Sequence, residues 1–442
     1  MIRSQLRAPL LAGLAGLAAS LLLACASSLD EDLSAAAARA AASAANLTPA
    51  PSAGAEPVPT AEAAMSPGAN AGPAAASVSA SLEQAVLRAG ERLLADARAQ
   101  LGEAPRELVI DPVIDANTGQ QTAASSAVGA QLASLIAAQA PIWKVLPLSR
   151  KALANAPLLL MGTLTATQPG EATSTPPETF RLWLTLADLR TGRIAAKRLV
   201  RVTTASVNAE PTRFFRDTAT LTKDHTVSAY TKSCQIEARV GDPLDSLYLM
   251  RLPAQALLNE AITAYNEQKF ETAHRLFVDA SRVSDAYDLR VLNGRYLSSW
   301  RLGKKAEAAE SMTRIVALGL AEKQLQFKIL FEPGGTTMLP GTELRAQYRL
   351  WLREAARQAD GKKLCVRVTG HASRNGTLAA SEALSLRRAA VVRWILARDA
   401  PASASRFSAE GVGWRDNLIG LGSDDVRDTP DRRTELRVIN CP

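Results

Sequence analysis

Histidine is nearly absent from this sequence: it holds only His225, His274 and His371, which stand far apart. The four cysteines, Cys25, Cys234, Cys365 and Cys441, are as dispersed, so no stretch of chain offers the close Cys and His ligands of a zinc site. There is no HExxH motif, nucleophile elbow or phosphate-cradling glycine loop, and with them goes the sequence support for metallohydrolase, acyl-transfer and nucleotide chemistry. The residues therefore read as a non-enzyme that needs neither metal nor cofactor. Aromatic residues are scarce at 5%, while 47% hydrophobic and 21% charged residues are ordinary for a chain that folds in water. A net charge of +8 suggests nucleic acid only until it is located. From Gln326 onward 19 basic residues face 13 acidic ones, so most of the excess is C-terminal and interleaved with acids. That pattern describes a solvated basic surface or a local anion site, with no nucleic-acid partner.

What is present begins at the N-terminus. Arg3 and Arg7 precede an apolar stretch from Ala8 to Ala24, marginally short for a bilayer span, and a small residue stands before Cys25, as in a bacterial secretion signal. Leu22-Leu23-Ala24-Cys25 resembles the lipobox of bacterial lipoproteins, where cleavage exposes a cysteine whose sulfur carries the lipid. The resemblance implies a signal peptide over 1–24 and lipidation at Cys25. Ala26, where an aspartate would favour inner-membrane retention, implies an outer-membrane anchor facing the periplasm. In an oxidising periplasm Cys234, Cys365 and Cys441 make one pair and one odd thiol.

Residues 25–80 are rich in Ala, Pro, Ser and Gly, with few large apolar side chains, the composition of a disordered tether. A flexible chain of that length reaches roughly 40 Å, which suits a bridge between a membrane and a wall.

Folded structure begins at Leu82, where helical spacing runs to Leu101. Strands are expected at 107–114, 143–148 and 157–164, a helix at 127–138, and a hairpin from Phe180–Ala187 to Ile194–Val202 about Arg190-Thr191-Gly192-Arg193. Alternating helices and strands imply a small α/β domain over 81–205. This order is similar to the small α/β domains of envelope-assembly lipoproteins that serve flagella and curli secretion; the likeness is topological and transfers no site.

Residues 254–320 change character. Ala261, Ala264, Phe270, Ala273, Phe277 and Ala280 match the small and large positions of a tetratricopeptide repeat, and a degenerate second unit runs from Tyr296 to Ile315. Two units are fewer than an independent solenoid needs, so they are expected to pack on a neighbouring domain. A rigid spacer is favoured over a protein-docking groove.

From Leu325 the pattern is strand (325–331), helix (342–359), strand (363–369), helix (379–397) and strand (434–440). Four blocks stand in order: Gly370-His371-Ala372-Ser373, then Ser381 with Leu384, Ser385, Arg388, Ala389 and Val392, then Gly411-Val412-Gly413, then Asp431-Arg432-Arg433-Thr434-Glu435. In order and spacing they resemble the OmpA-like peptidoglycan-binding domain, here over 325–442, which implies a βαβαβ fold and peptidoglycan as partner. The chain as a whole thus reads as α/β and α+β multidomain. Ser381, Leu384, Ser385 and Arg388 recur at three- and four-residue steps and share one helix face.

The resemblance implies that Arg388 pairs with the carboxylate of diaminopimelate in the wall's stem peptide, a task suited to a guanidinium fork. Gly370, Ser373, Ser381 and Arg432 complete the implied peptidoglycan-binding set. Two positions depart from the family. Ser373 stands where an aspartate usually holds the diaminopimelate ammonium, and Ser381 replaces the motif's asparagine. Exchange of a charged hydrogen bond for a neutral one lowers intrinsic affinity roughly tenfold, which tethering beside a polymeric wall can offset. His371 reads as structural. Of Arg432 and Arg433, one is expected to face the ligand and the other to pair with Asp424, Asp425, Asp428 or Asp431. The strands of this fold also place Cys365 and Cys441 in one sheet, so a disulfide between them is expected. The implied function is a non-enzymatic lipoprotein tethering outer membrane to peptidoglycan; its alternative is an assembly scaffold whose middle domains bind an envelope protein, with the wall as mooring.

Overall fold

The computed structural model describes residues 81–441 apart from 139–141, 168–178, 236, 284–287, 333, 339–341 and 424. The expected signal peptide, the expected lipidation site Cys25, the expected tether and Asp424 lie outside the described residues. No helix among those described is long and apolar enough to cross a membrane.

The first helix, α1 (Leu82–Leu101), is started by the Ser81 hydroxyl accepting from the Gln84 N–H and stopped by Gly102 at φ 77°. It buries Ala85, Val86, Ala89, Leu93, Leu94 and Ala97, one apolar stripe at three- and four-residue steps. There follow β1 (Arg106–Ile110), α2 (Ala123–Ala137), β2 (Trp143–Leu146), the single turn α3 (Arg150–Leu153), β3 (Leu158–Ala166), β4 (Thr179–Asp188) and β5 (Arg193–Thr203). The sheet order is β2-β1-β3-β4-β5, with β1 parallel to β2 and β3, and β3, β4 and β5 antiparallel. Strand β1 is shorter than expected because Pro112 cannot donate to a ladder; pairing resumes as a single bridge from Ile114 to Thr163.

Every residue of β3 is buried, so both faces of this sheet are covered. Helices α1 and α2 supply one cover. The other comes from a region the sequence left unassigned: after α4 (Arg213–Asp217) come α5 (His225–Cys234) and α6 (Ser246–Asn266), whose Val227, Tyr230, Cys234, Tyr248 and Leu252 pack on Leu159 and Met161. Helix α6 begins ahead of the repeat-like stretch 254–320 and runs through Pro253. Cys234 is a buried free thiol, and burial pushes its pKa far up.

Two helical hairpins follow, α6 with α7 (Phe270–Val283) and α8 (Leu289–Arg301) with α9 (Lys305–Ala321). Small residues set their spacing: Ala261, Ala273, Ala280 and Ala308 are fully buried, and a Cβ on Gly294 would stand 2.2 Å from the Phe277 ring.

The C-terminal unit comprises β6 (Gln324–Phe327), α10 (Thr342–Gly361), β7 (Cys365–Gly370), α11 (Leu378–Asp399), β8 (Phe407–Gly411) and β9 (Thr434–Ile439), in sheet order β6-β9-β7-β8. Strand β8 is additional to the expected pattern; it pairs parallel with β7. Strand β6 ends at Phe327, beyond which Lys328 donates its N–H to the Ala219 carbonyl and its ammonium to Thr218. A disulfide joins Cys365 to Cys441. One apolar core runs from the hairpins into this unit, from Phe277, Tyr296 and Ile315 to Phe327, Trp351, Val366 and Leu436. The hairpins therefore do pack on their neighbour, and the Trp351 indole donates to the Tyr296 hydroxyl at 2.8 Å.

Candidate functional site

The four sequence blocks converge where β7 and β8 end and α11 begins. Close approach is possible only because glycine stands at each contact. A Cβ on Gly370 would lie 2.2 Å from the Ser385 carbonyl oxygen, and one on Gly411 would lie 2.3 Å from the Leu386 nitrogen. Gly413, at φ 59°, donates its N–H to the Ser385 hydroxyl at 2.9 Å, which in turn donates to the Glu382 carbonyl. Helix and strand ends are thereby locked at backbone distance.

Over this junction lies the loop 371–376. The His371 N–H donates to the Arg433 carbonyl and the Ala372 N–H to that of Gly413. Asn417 bridges the loop: its amide donates to the Ala372 carbonyl at 2.9 Å and accepts from the Arg374 N–H at 3.2 Å. Ser381 donates to the Asn375 carbonyl at 3.1 Å, tying the first turn of α11 to the same loop. Ser373 is buried, and the guanidinium of Arg374 stacks 5.0 Å above the ring of buried Trp414.

Arg388 sits two turns along α11 from Ser381 and is only 5% exposed. Its Nε donates to the Gly335 carbonyl at 3.0 Å and one Nη to that of Glu332 at 3.1 Å, while its plane lies 5.2 Å from the Phe331 ring. The side chain does not project into solvent, as a helix-surface arginine would. It is a charged donor whose bonds to these two backbone carbonyls an incoming anion would have to displace.

Behind the loop lies a buried charge cluster on β9. Glu435 accepts from Arg433, Arg437 and Gln326 and stands 3.5 Å from the His371 ring. Burial raises its pKa, but Arg433, His371 and Arg437 overcome that and hold it at about 2. Burial and the nearby Arg433 press His371 down to about 3, so its ring stays neutral and serves as packing. Arg433 therefore pairs with Glu435, a partner outside the four aspartates expected for one of the two arginines. Arg432 donates to the backbone carbonyl of Asp425 at 2.6 Å. Asp431 accepts three backbone N–H groups, from Leu418, Ile419 and Gly420, and so shapes the loop that carries Asn417. Burial raises its pKa to about 6 against those bonds.

Asn417, Trp414 and the carbonyls of Glu332 and Gly335 went unread in the sequence. Only the Gly334-Gly335 pair offered a turn signal near Arg388. Among the described residues no cluster of His, Cys, Asp and Glu could hold a metal ion.

Residues 330–429 match the model of the OmpA family. No curated protein matches the chain. Among solved structures, the chain is similar to the OmpA-like domain of FopA1 from Francisella tularensis at 18% identity, covering 27% of this chain and 75% of that one, with a TM-score of 0.21. It is also similar to the cell wall anchor of the T6SS from Pseudomonas aeruginosa at 21% identity, covering 29% and 97%, with a TM-score of 0.23. A third is the LpoB C-terminal domain from Salmonella enterica, at 14% identity, 28% and 98% coverage and a TM-score of 0.21.

Proposed function

We propose that this chain, whose residues 330–429 carry an OmpA domain, is a non-enzymatic lipoprotein of the outer membrane that binds peptidoglycan on the periplasmic side. The observation that carries the reading is Arg388, a buried guanidinium on α11 that donates to the backbone carbonyls of Gly335 and Glu332 beside the Phe331 ring. A carboxylate competes well for such a group, because a charge-assisted hydrogen bond is roughly twice as strong as one to a neutral acceptor. The stem-peptide diaminopimelate offers that carboxylate. Ser373, Ser381, Gly370 and Arg432 serve as the remaining site residues: Gly370 permits the close packing, and Ser381 fixes the loop bearing Ser373. In this mechanism the ligand carboxylate displaces the Glu332 and Gly335 carbonyls from Arg388.

The membrane end of the tether rests on Cys25. Cys25→Ser is expected to abolish incorporation of labelled palmitate and to release the protein from the membrane fraction; a variant that keeps both refutes the anchor. The wall end is tested by co-sedimentation of the full chain with purified peptidoglycan.

A second reading has its own support. A cavity of about 750 Å³ lies between the first unit and the hairpins, lined by Pro112, Ala130, Leu146, Thr263 and Leu276 among others. An envelope-assembly scaffold would bind its protein partner there, with the wall contact as mooring.

A further inference from the structure

Resting on the wall contact proposed above, we infer that Asn117 of the first unit is a positioning residue of the wall-binding site, so that the first unit takes part in gripping the wall. The segment 417–422 is the link. On one side it lies against loop 371–376: the Asn417 amide bridges the Ala372 carbonyl and the Arg374 N–H, and a Cβ on Gly422 would stand 2.5 Å from the Arg374 carbonyl oxygen. On the other side it meets the first unit, where the Asn117 amide donates to the Leu418 carbonyl at 3.0 Å and Leu421 packs on the first core. A shift of this segment is therefore a shift of the loop that carries Ser373.

The two units hold the segment from complementary sides. Its own unit takes the N–H groups, through Asp431, which accepts from Leu418, Ile419 and Gly420. The first unit takes the Leu418 carbonyl, through a residue 301 positions away in sequence. Asn117 can fix that carbonyl because the turn presenting it is itself fixed. One oxygen of buried Asp115 accepts from the Asn117 N–H at 3.1 Å and from the Thr118 N–H and hydroxyl at 2.8 Å each. The Ala116 N–H donates to the Thr165 hydroxyl on β3 at 2.9 Å, and Gly119, at φ 70°, closes the turn onto the Asp115 carbonyl. Asn117 thus leaves from a turn pinned to the central strand of the first sheet. Binding groups keep a productive geometry when the hydrogen bonds behind them are locked in this way. The chain of contacts runs from β3 through Asn117, Leu418 and Asn417 to loop 371–376.

The test measures binding of the full chain to purified peptidoglycan for Asn117→Ala, Asn417→Ala and the double variant, with unfolding followed alongside. Asn117→Ala is expected to bind about three- to tenfold more weakly, the range set by one neutral hydrogen bond. A merely structural role would not produce that loss, because a small drop in global stability leaves nearly every molecule folded. Asn417→Ala is expected to weaken binding as well, and adding Asn117→Ala to it to change nothing further, since both act along one route. Folded Asn117→Ala that binds like a parent with measurable affinity overturns this inference and leaves the wall contact standing. Unchanged binding by Asn417→Ala, or losses that simply add in the double variant, overturns the route through the segment 417–422. A parent chain that does not bind peptidoglycan overturns the wall contact and this inference together. Should Asn117→Ala not fold, Leu421→Ala removes the other contact with the first unit and is read by the same outcomes.

Discussion

At the scale of residues, the site is a competition between charge and burial. His371 is the clearest instance. Its ring is enclosed beside Arg433 and Glu435, and its pKa falls from 6.5 to about 3. Below pH 6.5 the unfolded chain therefore takes up a proton that the folded chain refuses, so stability falls as the pH is lowered through that window. Glu435, held at about 2, adds to the loss between pH 4.5 and 2, because its carboxylate must be protonated in the unfolded chain first. His371→Gln is expected to remove the first of these slopes, of up to about 1.4 kcal/mol per pH unit. Denaturant unfolding of parent and variant at pH 7, 6 and 5 checks it; parallel pH profiles would show that His371 is not the titrating group. These buried roles were half legible. Sequence marked His371 as structural and one of Arg432 and Arg433 as an ion-pair residue, but the partner of Arg433 lies two residues along its own strand, where alternation puts Glu435 on the same face.

At the scale of elements, periodicity carried most of the pattern and failed where tertiary context overrode a local signal. Helices α1, α10 and α11 and strands β7 and β9 stand within two residues of expectation, since each has a long apolar stripe or a β-branched run. Strand β8 was missed: Phe407-Ser408-Ala409-Glu410-Gly411 has one large apolar residue and is strand only because β7 offers a parallel partner. The repeat-like spacing marks only 254–320, whereas α6 begins at Ser246: proline ordinarily ends a helix, yet burial of Tyr248 and Leu252 on the first sheet keeps the turns before Pro253 helical. The Cys365–Cys441 disulfide fastens the start of β7 to the end of the chain across 76 residues. Replacing both cysteines with alanine is expected to lower stability by about 4.5 kcal/mol in the chain-entropy model. Chemical denaturation measures this directly, and a loss below about 1 kcal/mol would mean that the sheet constrains the same ends without the bond.

At the scale of the whole molecule, the C-terminal unit does not stand alone. The hairpins share its core, and the first unit braces the loop carrying Asn417: the Asn117 amide donates to the Leu418 carbonyl, and Leu421 packs on the first core. Tyr296 is fully buried in the shared core and donates to Gln347 across the junction. Tyr296→Ala is therefore expected to cost about 3 kcal/mol or more. It should also raise hydrogen exchange in β7, which Tyr296 does not touch in sequence; unchanged exchange there would mean that the two parts unfold independently. Sequence anticipated that two repeats need a neighbour, but which neighbour follows from long-range contacts that no local pattern encodes. The shared core is also the reason to study wall binding with the full chain.

The central claim is that Arg388 carries the contact with the wall, and co-sedimentation of the full chain with purified peptidoglycan tests it most directly. Parent protein is expected to pellet with the wall, and Arg388→Ala to bind ten- to a hundredfold more weakly, the loss of about 1.5 to 3 kcal/mol for one charged hydrogen-bond partner. Circular dichroism establishes that the variant is folded despite losing its bonds to Glu332 and Gly335. A folded Arg388→Ala that pellets as well as the parent would contradict the account, and would leave Arg388 as a brace for the Glu332 and Gly335 carbonyls.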